Sequence, residues 1–374
     1  MTAQDIVDDL AEARGELDEA TWEWLHTMAS EGEDGSRFDD EGVYTLWWGA
    51  GLSPSAVHAV PFLVRLAVAE VFTAELFWVV GEIGRRTRGR RGEKSVAAHR
   101  AVLEQVPGLL EFIWTSRDER VRRHLLRLAA CGPAHDVLPV VRSLCDDPDL
   151  DDTTWAEALR AWLFLEPDKA LPLAARAVKE GSATVKVLTV TALAESGAKW
   201  RPRYGRQFAA CYDIYCESDD PALEDPLRTT IDSLVAHGGR KEAVRLLVSL
   251  LSPDRKPSTS EFAIALAQEL AKRRKARAAL LPAVLPLLAT THSDSVEDAV
   301  RFVERFGRKD GNRSLPSNWS DPRDALPADA AQLIATVAQR VLDGDDPAQD
   351  WYSRDSLGGW PPVRNLRADV AARF

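Results

Sequence analysis

The stretch Asp118-Glu-Arg-Val-Arg-Arg-His-Leu-Leu-Arg-Leu-Ala-Ala-Cys-Gly132 decides the fold. Its apolar residues Val121, Leu125 and Leu128 stand four and three apart, which places them on one face of a helix. A glycine just past the last turn, here Gly132, can take the left-handed conformation that closes a helix. The same phrase recurs as Leu227, Ile231, Leu234 and Gly238, and again as Val296, Val300, Val303 and Gly307. Phe77, Val80 and Gly84 repeat its end, as do Val190, Leu193 and Gly197. A further copy, Trp155, Leu159 and Trp162, carries Glu166 in the glycine's place.

Five of these six B helices follow an A helix marked by an apolar-Pro step: Val60-Pro61, Val106-Pro107, Leu138-Pro139, Leu171-Pro172, and Leu281-Pro282 with Leu285-Pro286. Proline is tolerated in a first turn and bends a helix further in. Pro107, Pro139 and Pro172 are 32 and 33 residues apart, whereas Pro61 and Pro107 are 46 apart, which implies an insertion. The spacing predicts seven pairs at roughly 54–85, 96–132, 135–166, 168–197, 201–238, 240–274 and 277–307. A pair of short amphipathic helices cannot bury its stripe alone, so successive copies must stack. The expected fold is all-α, with strand signals poor throughout.

Residues 118–132 and the block Asp220-Pro-Ala-Leu-Glu-Asp-Pro-Leu-Arg228 resemble the turn and B helix of HEAT repeats. The stretch YTLWWGAGLSPSAVHAVPFLVRL (44–66) resembles the opening of a group of bacterial HEAT-repeat proteins of unassigned activity. The resemblance covers roughly residues 44–307. It implies an armadillo-like, right-handed α-α superhelix of about seven HEAT-like pairs, flanked by non-repeat caps. It implies little about function, because such arrays serve many roles. The expected division is an acidic cap at 1–53, a solenoid at 54–307, and a loop, terminal helix and tail at 308–374. In the first cap, Ile6, Leu10, Leu17, Trp24 and Met28 are expected to face the first repeat.

The formal net charge of the 374-residue chain is −11. Residues 1–42 hold fourteen Asp/Glu against Arg14 and Arg37, so the acidity belongs to the N-terminal segment. Alternation of A and B helices also sorts the loops by edge. The A-to-B turns 145–152, 217–225 and 292–298 are acidic; the B-to-A connections 84–94, 198–203, 238–241 and 272–277 are basic. Acids at the start of a B helix and bases at its end complement the helix dipole. That explanation leaves over the five arginines of the first connection, Arg85, Arg86, Arg88, Arg90 and Arg91. Together with Lys272, Arg273 and Arg274 they are candidate partner-binding residues, since a basic strip attracts phosphate or an acidic protein. Trp47 and Trp48 at the N-terminal entry, and Trp351 and Trp360 in the tail, are candidate anchors, because exposed tryptophans commonly hold partners.

No catalytic or metal site emerges from the sequence. The histidines are scattered, and Cys131, His135 and Cys145 fall short of a zinc ligand set. No phosphate-binding glycine loop, GxSxG elbow or HExxH helix is present, and no cofactor is expected. The four cysteines suit a reducing compartment. There is neither an apolar run of about 18 residues nor a basic, apolar leader, so a cytoplasmic protein with no membrane association is expected. Two functions fit: a non-catalytic protein-binding scaffold, such as an inhibitor or immunity-type protein for a basic partner, or a nucleic-acid-binding protein. The second includes a DNA-glycosylase-like enzyme using Trp155 and Trp162, although both sit at core positions of the repeat.

Overall fold

The computed structural model describes residues 3–35, 38, 40–48, 51–218 and 225–284, with isolated positions 286–287, 298–299, 302 and 306. The chain divides into two compact units, Met1–Ser196 with Asp220–Asp225, and Gly197–Asp219 with Pro226–Phe374. Among the described residues the only strand is a two-residue antiparallel ladder. It joins β1 (Trp47–Trp48) to β2 (Gly51–Leu52), in the register Trp47↔Leu52 and Trp48↔Gly51. Everything else with regular structure is helical.

The first unit opens with α1 (Ala3–Glu12), a 3-10 turn (Ala13–Gly15), α2 (Glu19–Gly35) and α3 (Asp40–Leu46). Ile6, Leu10, Leu17, Trp24 and Met28 are all buried, and α1 and α2 both pack on α4 (Ala56–Val68). Four pairs follow: α4 with α5 (Thr73–Thr87), α6 (Glu93–Thr115) with α7 (Glu119–Ala129), α8 (Ala134–Cys145) with α9 (Asp152–Leu165), and α10 (Pro167–Glu180) with α11 (Ala183–Glu195). Within each pair the A helix packs on its B helix. The B helices stack α5 on α7, α7 on α9 and α9 on α11, while α4 packs on α6 and α6 on α8. Most of the recurring apolar phrase is buried: Val121, Leu125, Leu128, Leu159 and Leu193 are enclosed, and Trp155 and Trp162 are half-buried. Each such side chain contributes roughly 1.5–3 kcal/mol by leaving water.

Local chemistry sets the starts of the B helices. The Asp118 carboxylate accepts from the Arg120 and Val121 amides, Asp151 from the Thr154 amide at 2.8 Å, and the Ser182 hydroxyl from the Val185 amide. These side chains satisfy amides that a first helical turn leaves unpaired. Part of the acidity of the A-to-B edge is therefore capping.

The second unit contains α12 (Pro202–Tyr215), α13 (Pro226–Ala236), α14 (Arg240–Leu250), α15 (Pro257–Ala271) and α16 (Arg274–Val284). Helix α14 packs on α12, α13, α15 and α16, and α15 on α16. The seventh B helix, with Val296, Val300, Val303 and Gly307, lies outside the described residues apart from isolated positions. So does the whole segment 308–374.

The prolines and glycines of the repeat take definite places in the fold. Proline lies inside α4, α6, α8, α10 and α16, not in their first turns. Pro61, Pro139 and Pro172 are each the sixth residue of their helix and Pro107 is the fifteenth of α6, so nine of the extra residues before Pro107 extend a helix and do not form a loop. The recurring glycine has two jobs. Gly197 and Gly238 do take left-handed backbone (φ +69° and +81°). Gly84 and Gly132 do not; they are contact points. A methyl group on Gly132 would lie 2.5 Å from Val106 Cγ1, and one on Gly84 would lie 3.0 Å from Cys131 Sγ.

Candidate functional site

Charged side chains inside the first unit form a ladder across its B helices. Arg127 of α7 donates to Glu157 of α9 at 2.8 Å; Glu157 accepts from Arg160 one turn on, at 3.2 Å; Arg160 donates to Glu195 of α11 through two nitrogens at 2.6 and 2.7 Å. Arg123 joins from α7 to Asp151 at 3.0 Å and to Thr154. Glu157 is 4% exposed. Burial alone raises a carboxyl's pKa, but Arg127 and Arg160 outweigh it and hold Glu157 at about 2. His124, also buried, is pushed down to about 3 by burial and then by Arg127 and Arg120. It is neutral at pH 7. These groups are enclosed, so they organise the stack and do not face a ligand.

The arginines of the 84–94 connection are more committed than the sequence implied. Arg85 and Arg86 belong to the last turn of α5, and both bind the buried carboxylate of Glu82 at 2.6 Å. Arg88 donates to the Phe164 carbonyl at 3.1 Å and to that of Ala130 at 3.4 Å, and lies over the Phe164 ring at 4.7 Å. It thus caps the ends of α7 and α9. Arg90 and Arg91 are exposed and form no ion pair among the described residues.

Two surfaces carry an excess of exposed charge of one sign. One is the N-terminal cap. Nine acids from Asp5 to Glu31 are exposed there, with Arg14 the only Lys or Arg in that stretch. The cap is firmly mounted: Asp9 pairs with Arg65 of α4 at 2.6 Å, and the Asp18 amide donates to Ser55 Oγ at 2.8 Å.

The other is one edge of the second unit. The start of α12 lies beside the α13–α14 turn, where Gly197 is in close approach to the His237 ring. The α15–α16 turn returns to the same edge, because α14, α15 and α16 are joined as antiparallel neighbours. Lys199, Arg201, Arg203 and Arg206 stand in the first row of this edge. Arg240 and Lys241 stand in the second. Lys272, Arg273, Arg274, Lys275 and the half-buried Arg277 form the third. None of the eleven has an ion pair among the described residues. On the opposite edge of the unit the described bases are paired: Arg255 binds Asp213 at 3.0 Å and Lys256 binds Glu217, while Thr259 donates to Asp213. Lys272, Arg273 and Arg274 were legible as candidates one by one. Their union with the rows at 199–206 and 240–241 needed the fold.

Of the aromatic candidates, Trp47 and Trp48 contribute backbone to the small ladder, and Trp351 and Trp360 lie outside the described residues. Trp155 and Trp162 pack between α8 and α9. Trp155 Nε1 donates to the Cys145 carbonyl at 3.0 Å, and Arg142 lies over the Trp162 ring at 5.5 Å. Burial raises the Cys145 thiol to about 12 and also raises that of Cys131. Among the described residues no helix is long and apolar enough to cross a membrane, and no three His, Cys, Asp or Glu side chains are grouped to hold a metal.

No family model matches the sequence, and no curated protein matches it. Among solved structures, it is similar to two engineered proteins from the Northeast Structural Genomics Consortium. One is 16% identical over 95% of this chain and 99% of its own, with a TM-score of 0.32. The other is 16% identical over 83% of this chain and 96% of its own, with a TM-score of 0.27. Likeness at that distance decides nothing about function.

Proposed function

We propose that the chain is a non-catalytic, protein-binding scaffold of HEAT-like helical pairs, whose acidic N-terminal cap receives a basic partner as an inhibitor or immunity-type protein would. The observation that carries this reading is the cap itself. Nine exposed acids, opposed in that stretch by one arginine, ride on helices fastened to α4 by the Asp9–Arg65 pair and a buried apolar face. A rigid, single-sign surface steers an oppositely charged partner and fixes its docking register. Stacking of B helix on B helix supports the HEAT-like assignment.

The test is affinity capture from the native host with the full chain and with the triple variant Glu12→Lys, Glu19→Lys, Glu23→Lys. These three acids are exposed. The expected result is a stoichiometric basic protein, with its dissociation constant raised at least tenfold by the triple variant. Absence of any stoichiometric protein, or capture indifferent to the three reversals, overturns the reading.

A further inference from the structure

We propose that the basic edge of the second unit binds the phosphate backbone of a double-stranded nucleic acid without reading its sequence. The acidic cap belongs to the other unit, so this inference stands or falls separately from the protein-partner reading.

Charge is segregated within the unit. Residues 197–218 and 226–284 contain fifteen Lys/Arg and seven Asp/Glu, a net of eight positive charges in a chain of net charge −11. Four of the fifteen, Arg228, Arg245, Arg255 and Lys256, lie off the edge, and each pairs with an acid. The remaining eleven are those of the edge.

Folding alone does not account for this arrangement. Helices α12, α14 and α16 all begin on this edge, and bases in a first turn oppose the helix dipole; only α14 carries an acid there, Glu242, which pairs with Arg245. Neither α12 nor α14 has a side-chain N-cap. Eleven like charges in three adjacent rows also repel one another. An anion laid along the rows neutralises the bases and meets the free amides of the helix starts at once.

The number of charges selects the anion. Adjacent helices pack about 8–10 Å apart, so three rows span roughly 16–20 Å. An extended acidic peptide advances about 3.3 Å per residue and offers about six carboxylates over that length. A single nucleic-acid strand, at about 3.4 Å per phosphate, offers about the same, whereas a duplex carries one charge per about 1.7 Å and offers about eleven. Among the described residues the edge also lacks a stacking platform for unpaired bases. Trp200, in the first row, is turned edge-on to the buried Tyr204 at 5.8 Å, and Arg203 already covers the Tyr204 ring at 5.4 Å.

The experiment is fluorescence anisotropy of the full chain with labelled 20-base-pair DNA and RNA duplexes of two unrelated sequences, a single strand of equal length, and polyglutamate as competitor. A duplex affinity that falls about a hundred-thousandfold between 50 and 200 mM salt, alike for both sequences, is expected for about ten phosphate contacts. The DNA and RNA arms identify the source of the duplex. Replacing Arg240, Lys241, Arg273 and Arg274 with Ser should reduce the slope of log K against log salt by about 3.6, at about 0.9 per contact. Replacing Arg100, Arg117, Arg176 and Lys179 with Ser removes the same charge from exposed sites of the first unit and should leave the slope in place. Circular dichroism verifies that both variants fold. No duplex binding at 50 mM salt, a slope indifferent to the edge variant, or tighter binding of the single strand or polyglutamate than of the duplex overturns the proposal.

Discussion

Replacing Glu157 with Gln removes the negative charge that Arg127 and Arg160 share inside the first unit. The Glu157 carboxyl titrates at about 2 in place of its ordinary 4.5, which corresponds to about 3 kcal/mol of stabilisation by linkage. Removing one member of a buried pair typically costs about 3–5 kcal/mol, because the other charge is left enclosed. The lower end applies here, since Glu195 still neutralises Arg160 and the amide oxygen of Gln can accept from Arg127. For a unit of about 200 residues, 1 kcal/mol moves Tm by about 2–4 °C, so the expected fall is about 6–12 °C. Calorimetry of the full chain, with hydrogen exchange of the α9 amides to assign the transition, measures it. The pH dependence has a definite sign. A carboxyl whose pKa is lowered on folding contributes fully above 4.5 and loses its contribution as pH falls toward 2. The gap between wild type and variant should therefore be largest above pH 4.5 and shrink toward pH 2. A loss below about 1 kcal/mol, or a gap that does not change with pH, refutes the ladder as a source of stability.

His124 carries the opposite kind of group but the same direction of loss. Its folded pKa of about 3 lies below the unfolded 6.5, so stability is full above pH 6.5 and declines as the unfolded chain takes up a proton. At pH 5 the decline should be on the order of 2 kcal/mol relative to pH 7.5, and His124→Gln should abolish that part of it in urea melts at the two values. Gly132→Ala should destabilise the α6–α7 contact by about 1–3 kcal/mol through the clash with Val106, with Val106→Ala restoring part of the loss in a double-mutant cycle. Arg88→Ala should lower the stability of the first unit by about 1 kcal/mol by uncapping α7 and α9, while leaving the salt dependence of duplex binding unchanged.

The repeat was legible because apolar spacing is local: Val121, Leu125 and Leu128 need only one another to declare a helical face. The A-helix prolines were legible for the same reason. The ladder was not, because Arg127 and Glu157 are 30 residues apart and Arg160 and Glu195 are 35 apart. Each pairing spans about one repeat, so the useful signal was a base answered by an acid one period later. The 84–94 connection misled in a related way. A run of arginines reads as a solvated patch, and nothing within it shows that Glu82, Ala130 and Phe164 hold three of them. The basic edge was visible as separate turns, but only the return of α13 and α15 to one side brings them into a single field. The glycines of the phrase look alike in sequence, yet Gly238 serves backbone conformation and Gly132 serves contact.

The B helices α5, α7, α9 and α11 offer one another similar oily stripes, and oil is indifferent to sliding. A shift of one helical turn, about 5.4 Å, would keep much of the apolar contact. It would also pull Arg127 away from Glu157 and Arg160 from Glu195 where no water can take their place. Four side chains thus act as a key that admits one alignment of three helices, and every surface the first unit presents is cut to that alignment.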